Sequence, residues 1–246
     1  MKATLRDAVL GLVVVVVLWE LVARIVGWSF VPPPSQVIPI FLSPVGRLIL
    51  FHAAATLARV LLALAAGSLI GFPIGLLLGQ SRRLHRLFSP VVAALYPVPK
   101  IVFLPVAFVV LGVNDVARLV IVAAILLFHT VVLVRDAGLA LPEDLVRSVR
   151  SLGAGRLALL RFVYAPAGVP ALISAVRISV GTSLAVLFIA EQSLARWGLG
   201  YFIVVQSYQT LRYRQMYAGI VAMSLLGLLL HYSVSAVERR VRRAYG

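Results

Sequence analysis

The stretch LALPEDLVRSVRSLGAGRLALLRFVYAPAGVP, from Leu139 to Pro170, is the only long polar interruption in an otherwise apolar sequence. Pro142 and Glu143 predict a helix start, because a missing N–H costs nothing in the first turn and a carboxylate is favoured near the positive end of the helix dipole. Gly153 and Gly155 then break this helix. Two short helices around a glycine elbow predict a surface platform, which suits docking of a protein partner better than chemistry.

A second amphipathic turn follows the elbow, from Arg156 to Tyr164. Leu160 and Tyr164 recur in it at four-residue spacing, which is typical of one helix face. Pro166 and Pro170 are predicted to end this turn and to start the next apolar run, because proline inside a helix removes a backbone hydrogen bond.

Composition indicates an all-α integral membrane protein. Of 246 residues, 62% are apolar and only 13% are charged, and the mean hydropathy is +1.05. The absence of cysteine excludes disulfides, thiolate metal sites and cysteine nucleophiles, and we expect no metal site. The net charge of +15 does not indicate nucleic-acid binding, because the basic residues are spread over short loops without interleaved aromatic side chains.

Six apolar runs predict transmembrane helices in a single domain over residues 1–246. The predicted spans cover about residues 8–28, 58–80, 87–111, 116–134, 168–190 and 216–237, with the platform loop at 139–166. The first run favours an uncleaved span over a signal peptide, because it lasts about 20 residues and no small-residue cleavage site follows. Lysines and arginines are about twice as frequent in the loops on the side of the termini and the platform, which places both termini and the platform in the cytoplasm.

Glycine spacing predicts how the second span packs. Gly67, Gly71, Gly75 and Gly79 recur every four residues and lie on one helix face, where a neighbouring helix can approach closely. A groove for substrate is the alternative, but the stripe offers no polar groups. Arg59, near the start of the span, is expected to extend to the membrane interface.

The third span is interrupted by the sequence YPVPK, residues 96–100. Pro97 and Pro99 remove backbone donors at membrane depth, which is tolerated only beside protein or a water-filled cavity. Lys100 follows at once and is a candidate for a transport pathway, because a lysine there needs a cavity or a partner. A lysine that snorkels to the interface is the alternative.

Two further polar residues lie inside predicted spans. Arg177 is on the order of 10 Å inside the fifth span, deep enough to need water or an anion. His129, in the fourth span, is more often a hydrogen-bonded packing residue than a proton relay.

The platform resembles the cytoplasmic coupling loop of permease subunits of ATP-binding-cassette (ABC) importers, whose signature is E-A-A-x-x-x-G-x9-I-x-L-P. Gly153, nine residues and then Val163-Tyr164-Ala165-Pro166 reproduce its second half. In its first half, Arg147, Ser148 and Val149 replace E-A-A. The resemblance implies that the contact surface for the ATPase is formed by Arg147, Ser148, Val149, Ser151, Leu152, Gly153, Ala154, Gly155 and Arg156.

Further motifs extend the resemblance over nearly the whole chain, to the nitrate, sulfonate and taurine branch of these type I permeases. They are Trp19-Glu20, VPPPSQV at 31–37, PVPKIVFLP at 97–105, Arg177-Ile178, Glu191, GLGY at 198–201 and Glu238-Arg239-Arg240. The resemblance implies a homodimer in the bacterial inner membrane, two cytoplasmic ATPase subunits and an extracytoplasmic binding protein. This chain has no P-loop, so we expect the ATPase partner to bind ATP and Mg²⁺ and this chain to bind no cofactor and to be no enzyme.

The resulting hypothesis is alternating-access import of a small anion such as nitrate, a sulfonate or taurine. Its pathway would include Lys100, Arg177, Pro97, Pro99 and Glu191, and two copies of each cation would make the dimer axis electropositive. The structural alternative is that Arg177 pairs with Glu20 while Lys100 satisfies carbonyls freed by the prolines.

Two other functional classes are weighed against the importer. An intramembrane enzyme would need a constellation such as H-E-x-x-H, and the four histidines have no such neighbours. A self-sufficient secondary transporter driven by an ion gradient is the stronger alternative, since broken helices with charges near the midplane are typical of that class. However, this chain shows no evident inverted repeat, and a secondary transporter would have no use for the platform.

Overall fold

The computed structural model describes residues 5–245, with side chains described for residues 10–244, and this part of the chain contains no strand. The predicted all-α class is therefore confirmed. The α-helices are Leu5–Val26 (α1), Pro34–Val37 (α2), Pro44–Gln80 (α3), Arg82–Leu95 (α4), Leu104–Leu111 (α5), Asp115–Leu139 (α6), Glu143–Ser151 (α7), Arg156–Leu159 (α8), Ala165–Gln192 (α9), Leu199–Tyr201 (α10) and Tyr213–Tyr245 (α11). Short 3₁₀ segments cover Ile38–Leu42 and Lys100–Phe103, and π-helical segments cover Leu160–Tyr164 and Phe202–Tyr208.

Four helical stretches of the described chain are long and apolar enough to cross a membrane: Pro44–Gln80, Asp115–Leu139, Arg156–Gln192 and Tyr213–Ala244. Arg82–Leu95 and Lys100–Leu111 pass the same test together, with a bend of 82° between them, and give a fifth. The predicted first span largely coincides with α1, which has 22 residues. That α1 crosses the membrane stays a prediction.

Several helices extend beyond the apolar runs that predicted them. The second span was predicted to begin near residue 58, whereas α3 begins at Pro44, and α11 continues to Tyr245. Hydropathy marks where lipid can surround a helix, but backbone hydrogen bonding continues until a cap or a breaker interrupts it. At the start of α6 such a cap is present, because the side chain of Asn114 accepts a hydrogen bond from the Ala117 N–H at 3.1 Å.

The predicted break at Pro166 and Pro170 is wrong. The helix continues from Arg156 to Gln192 with Pro170 inside α9. A π-helical segment, Leu160–Tyr164, precedes the prolines, and the Ala165 N–H donates to the carbonyl of Leu160. In this segment the backbone N–H bonds to the carbonyl five residues earlier instead of four. This change alters which carbonyls need donors near the prolines, so the helix continues past them.

The glycine stripe of α3 packs against α6, as predicted. A Cβ added at Gly71 would lie 2.9 Å from the Thr130 Cβ, and one added at Gly75 would lie 2.8 Å from the Val134 Cβ. The α6 backbone lies closest to the stripe at Gly67, where an added Cβ would be 2.6 Å from the Ala123 carbonyl oxygen. Glycine thus permits a contact that any side chain would prevent.

The chain divides into two compact units, one formed by the chain up to Thr56 with Glu191–Leu225, the other by Leu57–Ala190 with the chain from Leu226. In the first unit, the Trp19 and Tyr217 rings stack with centroids 5.7 Å apart. In the second, the α3–α6 contact continues into a cluster of Leu76, Val134, Leu159, Val163 and Tyr164. This cluster joins the membrane helices of the second unit to the platform.

Arg59 lies in the second unit, and its side chain is buried against the start of α6 instead of extending away from the protein as expected. Its side chain is only 5% exposed, and its Nη2 is 2.9 Å from Oδ1 of Asp115. The same carboxylate contacts Arg118 at 3.2 Å. A buried guanidinium requires a partner of opposite charge, and α6 supplies one at its first residue.

Candidate functional site

The glycine elbow of the platform is fully at the surface. Gly153 has a φ of +86°, a conformation that side-chain-bearing residues rarely adopt. A Cβ added at Gly153 or Gly155 would meet no atom within 4 Å, and the Leu152 side chain is 86% exposed. An exposed leucine on a turn of fixed conformation is suited to contact with another protein.

The opposite face of the platform is anchored in the protein. Val146, Val149 and Ala154 pack against the hydrophobic cluster that contains Leu159 and Val163. Val149 and Ala154, both in the predicted coupling set, therefore support the platform from beneath. A force applied at the elbow would reach the membrane helices through this packing.

The polar residues of the coupling set lie on the outer side. Arg147 pairs with Glu143 at 2.7 Å along α7, and Glu143 also contacts Arg82. The hydroxyl of Ser151 donates to the carbonyl of Ser148 at 2.8 Å. The carbonyl of Arg156 accepts a hydrogen bond from Gln80 Nε2 at 2.8 Å, which ties α3 to α8. The nine predicted coupling residues already form one short stretch of sequence, and their contact with an ATPase stays a prediction.

Lys100 lies in the 3₁₀ segment that follows the proline-broken bend. Its Nζ donates to the carbonyls of Leu95 at 2.9 Å and Tyr96 at 2.6 Å. Pro99 has no N–H for the Leu95 carbonyl, which accepts instead from the Val98 N–H at 3.3 Å and from the Lys100 ammonium. The ammonium also lies 4.7 Å from the centroid of the Phe128 ring. These contacts agree with the structural alternative for Lys100, and its role in a pathway stays a prediction.

Lys100 also lines a cavity of about 260 Å³ in the second unit. Aromatic, polar and aliphatic groups share its wall, which includes Tyr96, Phe128, His129 and Thr182. His129 Nδ1 lies 2.9 Å from the Ser179 hydroxyl, which agrees with a hydrogen-bonded packing residue. Pro97 lies outside this lining, at the bend itself, whereas Pro99 is part of it.

Arg177 has a carboxylate partner, but the partner is Glu238. Its Nε is 2.9 Å from Glu238 Oε2. Glu238 also accepts from the Ser174 hydroxyl at 3.1 Å and lies 3.2 Å from Arg242 Nη2. The suggested pairing with Glu20 is wrong: Glu20 lies 2.6 Å from Arg24 Nη2 and accepts from the Ser35 hydroxyl.

Glu191 is fully buried in the first unit and holds the GLGY motif. It accepts hydrogen bonds from the Thr56 hydroxyl, at 2.9 Å to Oε2, and from the Gly200 N–H at 2.9 Å. The Thr56 hydroxyl oxygen accepts from the Leu199 N–H at 2.8 Å. A Cβ at Gly198, whose φ is +120°, would overlap the Glu191 carboxylate. Placement of Glu191 in a pathway stays a prediction.

Thr56 and His52 belong to the same set of buried hydrogen bonds around the GLGY motif, and sequence reasoning missed both. The Gly198 N–H donates to His52 Nδ1 at 3.0 Å. The available signal was their four-residue spacing, which puts two polar side chains on one face of α3. Nothing local in the sequence indicates that their partners lie at the end of α9 and at the start of α10.

Residues 67–243 match the family described as binding-protein-dependent transport system inner membrane components. The chain is 30% identical to the taurine transport system permease protein TauC of Escherichia coli (strain K12), over 96% of this chain and 88% of TauC. It is 24% identical to the nitrate import permease protein NrtB of Synechocystis sp., over 96% of this chain and 89% of NrtB.

The fold is similar to that of a chain in the inward-facing MetNI methionine ABC transporter. The TM-score is 0.70 at 24% identity, covering 81% of this chain and 98% of the other. The expected type I importer permease fold is thereby confirmed. Since the family match covers more than half of the sequence, this chain belongs to the binding-protein-dependent transport system inner membrane components and is a permease subunit of an ABC importer, a transport component and not an enzyme.

Proposed function

We propose that this permease imports a small anionic solute of the sulfonate or nitrate type. The observation that carries the proposal is Lys100, whose ammonium is held beside a cavity of about 260 Å³ at the broken third span. A fixed cation beside a small cavity favours anions and disfavours cations. The names of two relatives, a taurine permease and a nitrate permease, support the same class of solute.

A homodimer would double this charge. Two copies of Lys100 beside the dimer axis would give a stronger positive field. Pro97 and Pro99 would line the approach to that axis. Arg177 is half-exposed and shares Glu238 with Arg242, so an arginine charge remains near that carboxylate after pairing. Glu191 contributes in this scheme by fixing the loop that carries GLGY.

The driving force comes from outside this chain. An importer permease of this class works with an ATPase and with a binding protein, and we place the ATPase, with its ATP and Mg²⁺, at the elbow formed by Leu152 and Gly153. Closure of the ATPase would move the platform, and the packing of Val149 on the hydrophobic cluster would transmit the movement to the spans. Access to the cavity would then alternate between the two sides.

The proposed orientation follows from the charge distribution. Both termini and the platform lie in the cytoplasm of a bacterium, and the chain passes several times through the lipid of the inner membrane. The binding protein then delivers solute to the opposite face.

Transport in proteoliposomes tests the proposal. The permease, its ATPase and its binding protein are reconstituted together, and uptake of taurine, nitrate and uncharged solutes is compared with ATP available to the ATPase. Uptake of an anion that requires ATP and the binding protein is expected. Uptake of only uncharged solutes would contradict the anion assignment.

The same vesicles test the alternative of a secondary transporter. The permease alone is given an ion gradient without ATP. Uptake under that condition would support the gradient-driven mechanism and contradict the importer scheme. Uptake only in the complete system with ATP would support the importer scheme.

A further inference from the structure

A cavity of about 840 Å³ lies where the end of α3, the start of α4 and the platform meet. Four arginines line it: Arg82, Arg83, Arg150 and Arg156. The hydrogen bond from Gln80 to the Arg156 carbonyl joins two of its walls at 2.8 Å. The fold thus brings together guanidinium groups from two distant segments of the sequence. None of the four lies in the proposed translocation pathway, although Arg156 also belongs to the predicted ATPase contact surface.

Most of this positive charge is not neutralised by carboxylates of the chain. Arg82 contacts Glu143, but Glu143 is shared with Arg147. Among residues 10–244, no ion pair is formed by Arg83, Arg150 or Arg156. Guanidinium groups bind phosphate oxygens in a bidentate way, so several around one cavity favour a phosphate-bearing ligand.

The same cavity has an apolar wall. Leu77, Leu84, Leu157 and Leu160 line it, and the Leu157 side chain is 77% exposed. A free phosphate ion would leave these leucines in contact with water. A ligand that carries both a phosphate and hydrocarbon chains would satisfy both walls.

Helix α4 indicates that the ligand comes from the membrane. None of its residues is buried, its first two turns carry Arg83 and Arg86, and Leu87, Phe88 and Val91 are exposed. As the first half of the bent fifth stretch, α4 combines basic N-terminal turns with an exposed apolar face, which favours contact with anionic lipid where headgroups meet hydrocarbon. The cavity is at the N-terminal end of this helix, where α3 leaves its apolar run.

We infer that the cavity binds the headgroup phosphate of an anionic phospholipid, with the acyl chains lying along the leucines. The arginines contact the phosphate, and the lipid fills the space between α4 and the platform. This inference rests on the cavity and on the position of α4, and it holds whichever solute the permease imports.

Native mass spectrometry of the purified full-length permease tests the inference. The protein is titrated with phosphatidylglycerol and with phosphatidylcholine of the same acyl chains, and the ratio of bound lipids is measured. The test variant is Arg83→Gln with Arg150→Gln. The matched control is Arg239→Gln with Arg240→Gln, which removes the same charge from exposed positions near the C-terminus.

The wild type and the control are expected to prefer phosphatidylglycerol. In the test variant, the ratio of bound phosphatidylglycerol to bound phosphatidylcholine is expected to fall about fivefold for each arginine removed. Arg83→Lys with Arg150→Lys keeps the charge and is expected to retain most of the preference, which separates loss of charge from misfolding. Equal binding of the two lipids by the wild type, or an unchanged ratio in the glutamine variant, would overturn the inference.

Two further arms identify the source of the phosphate and the class of ligand. Inorganic phosphate is added to the permease in phosphatidylcholine, and the amount bound is measured in the same way. Binding of inorganic phosphate equal to that of phosphatidylglycerol would assign the cavity to a free phosphate. Binding of the cognate ATPase is measured for the same variants. If the glutamine variant loses the ATPase while its lipid ratio stays unchanged, the arginines belong to a protein contact and the lipid site is wrong.

Discussion

The hydroxyl of Thr56 donates to the buried carboxylate of Glu191 at 2.9 Å, although 135 residues separate them in the sequence. The same hydroxyl oxygen accepts from the N–H of Leu199 at 2.8 Å. One threonine side chain therefore joins α3, the end of α9 and the GLGY loop within the first unit. The loop depends on this hydroxyl for its position.

Thr56→Val is expected to destabilise the protein by about 2 to 4 kcal/mol, because it leaves both the Leu199 N–H and a buried carboxylate short of a partner. Thr56→Ser keeps the hydroxyl and is expected to be much milder. Thermal unfolding in detergent measures the difference. Thr210→Val is the control: its hydroxyl donates to the Gln206 carbonyl at 2.7 Å, but the side chain is exposed, so water replaces the lost donor and the change is expected to be nearly neutral. Equal effects at the two positions would contradict the role of Thr56.

Gly75→Ala is expected to cost about 1 to 3 kcal/mol, because the new methyl group would press on the Val134 side chain and force α3 away from α6. Gly181→Ala is the matched control, since a Cβ there would meet no atom within 4 Å. Thermal unfolding of both variants in the same detergent checks the prediction. A variant at Gly75 as stable as the control would show that the close contact is not required.

Gly153→Trp is expected to uncouple transport from ATP hydrolysis, with a loss of about tenfold or more in uptake, because the bulky ring would obstruct the elbow where we place the ATPase. Gly153→Asn tolerates the positive φ and is the control for backbone conformation. Uptake in proteoliposomes and co-purification of the ATPase are measured together. Normal association and normal uptake in the tryptophan variant would refute the lever mechanism.

Lys100→Gln is expected to lower anion uptake severalfold while the complex still assembles and hydrolyses ATP. Glutamine retains a donor for the Leu95 and Tyr96 carbonyls but removes the charge beside the cavity. Arg243→Gln, a change of equal charge in the last turn of α11, is the control. Wild-type uptake by the Lys100 variant, or its failure to assemble, would remove Lys100 from the proposed pathway.

Arg177→Gln is expected to leave the complex assembled and to lower anion uptake. Glu238 keeps the Ser174 hydroxyl and Arg242 as partners, so its buried carboxylate still has a hydrogen-bond donor and an opposite charge. The double variant Arg177→Gln with Glu238→Gln restores the local charge balance. Uptake that recovers in the double variant would indicate a structural ion pair, whereas uptake that stays low supports a direct role of the arginine charge.

The sequence alone determined the features that depend on local composition and spacing. Apolar runs predicted most of the membrane helices, because lipid requires a continuous apolar surface of fixed length. Four glycines at four-residue spacing predicted the α3 face that packs on α6, and Gly153 predicted the elbow, because both depend on the absence of a Cβ. The spacing from Gly153 to Pro166, together with the further motifs along the chain, indicated the family.

Only the tertiary structure decided how the polar residues of the spans are paired. Arg177 pairs with Glu238 and Arg59 with Asp115, and Thr56 meets Glu191, each across a large separation in the sequence. A charge inside an apolar span shows that a partner must exist, since desolvation is costly, but the sequence does not indicate which residue that partner is. The packing of the helices makes that choice, and it also formed the arginine cavity, whose two segments share no local sequence signal.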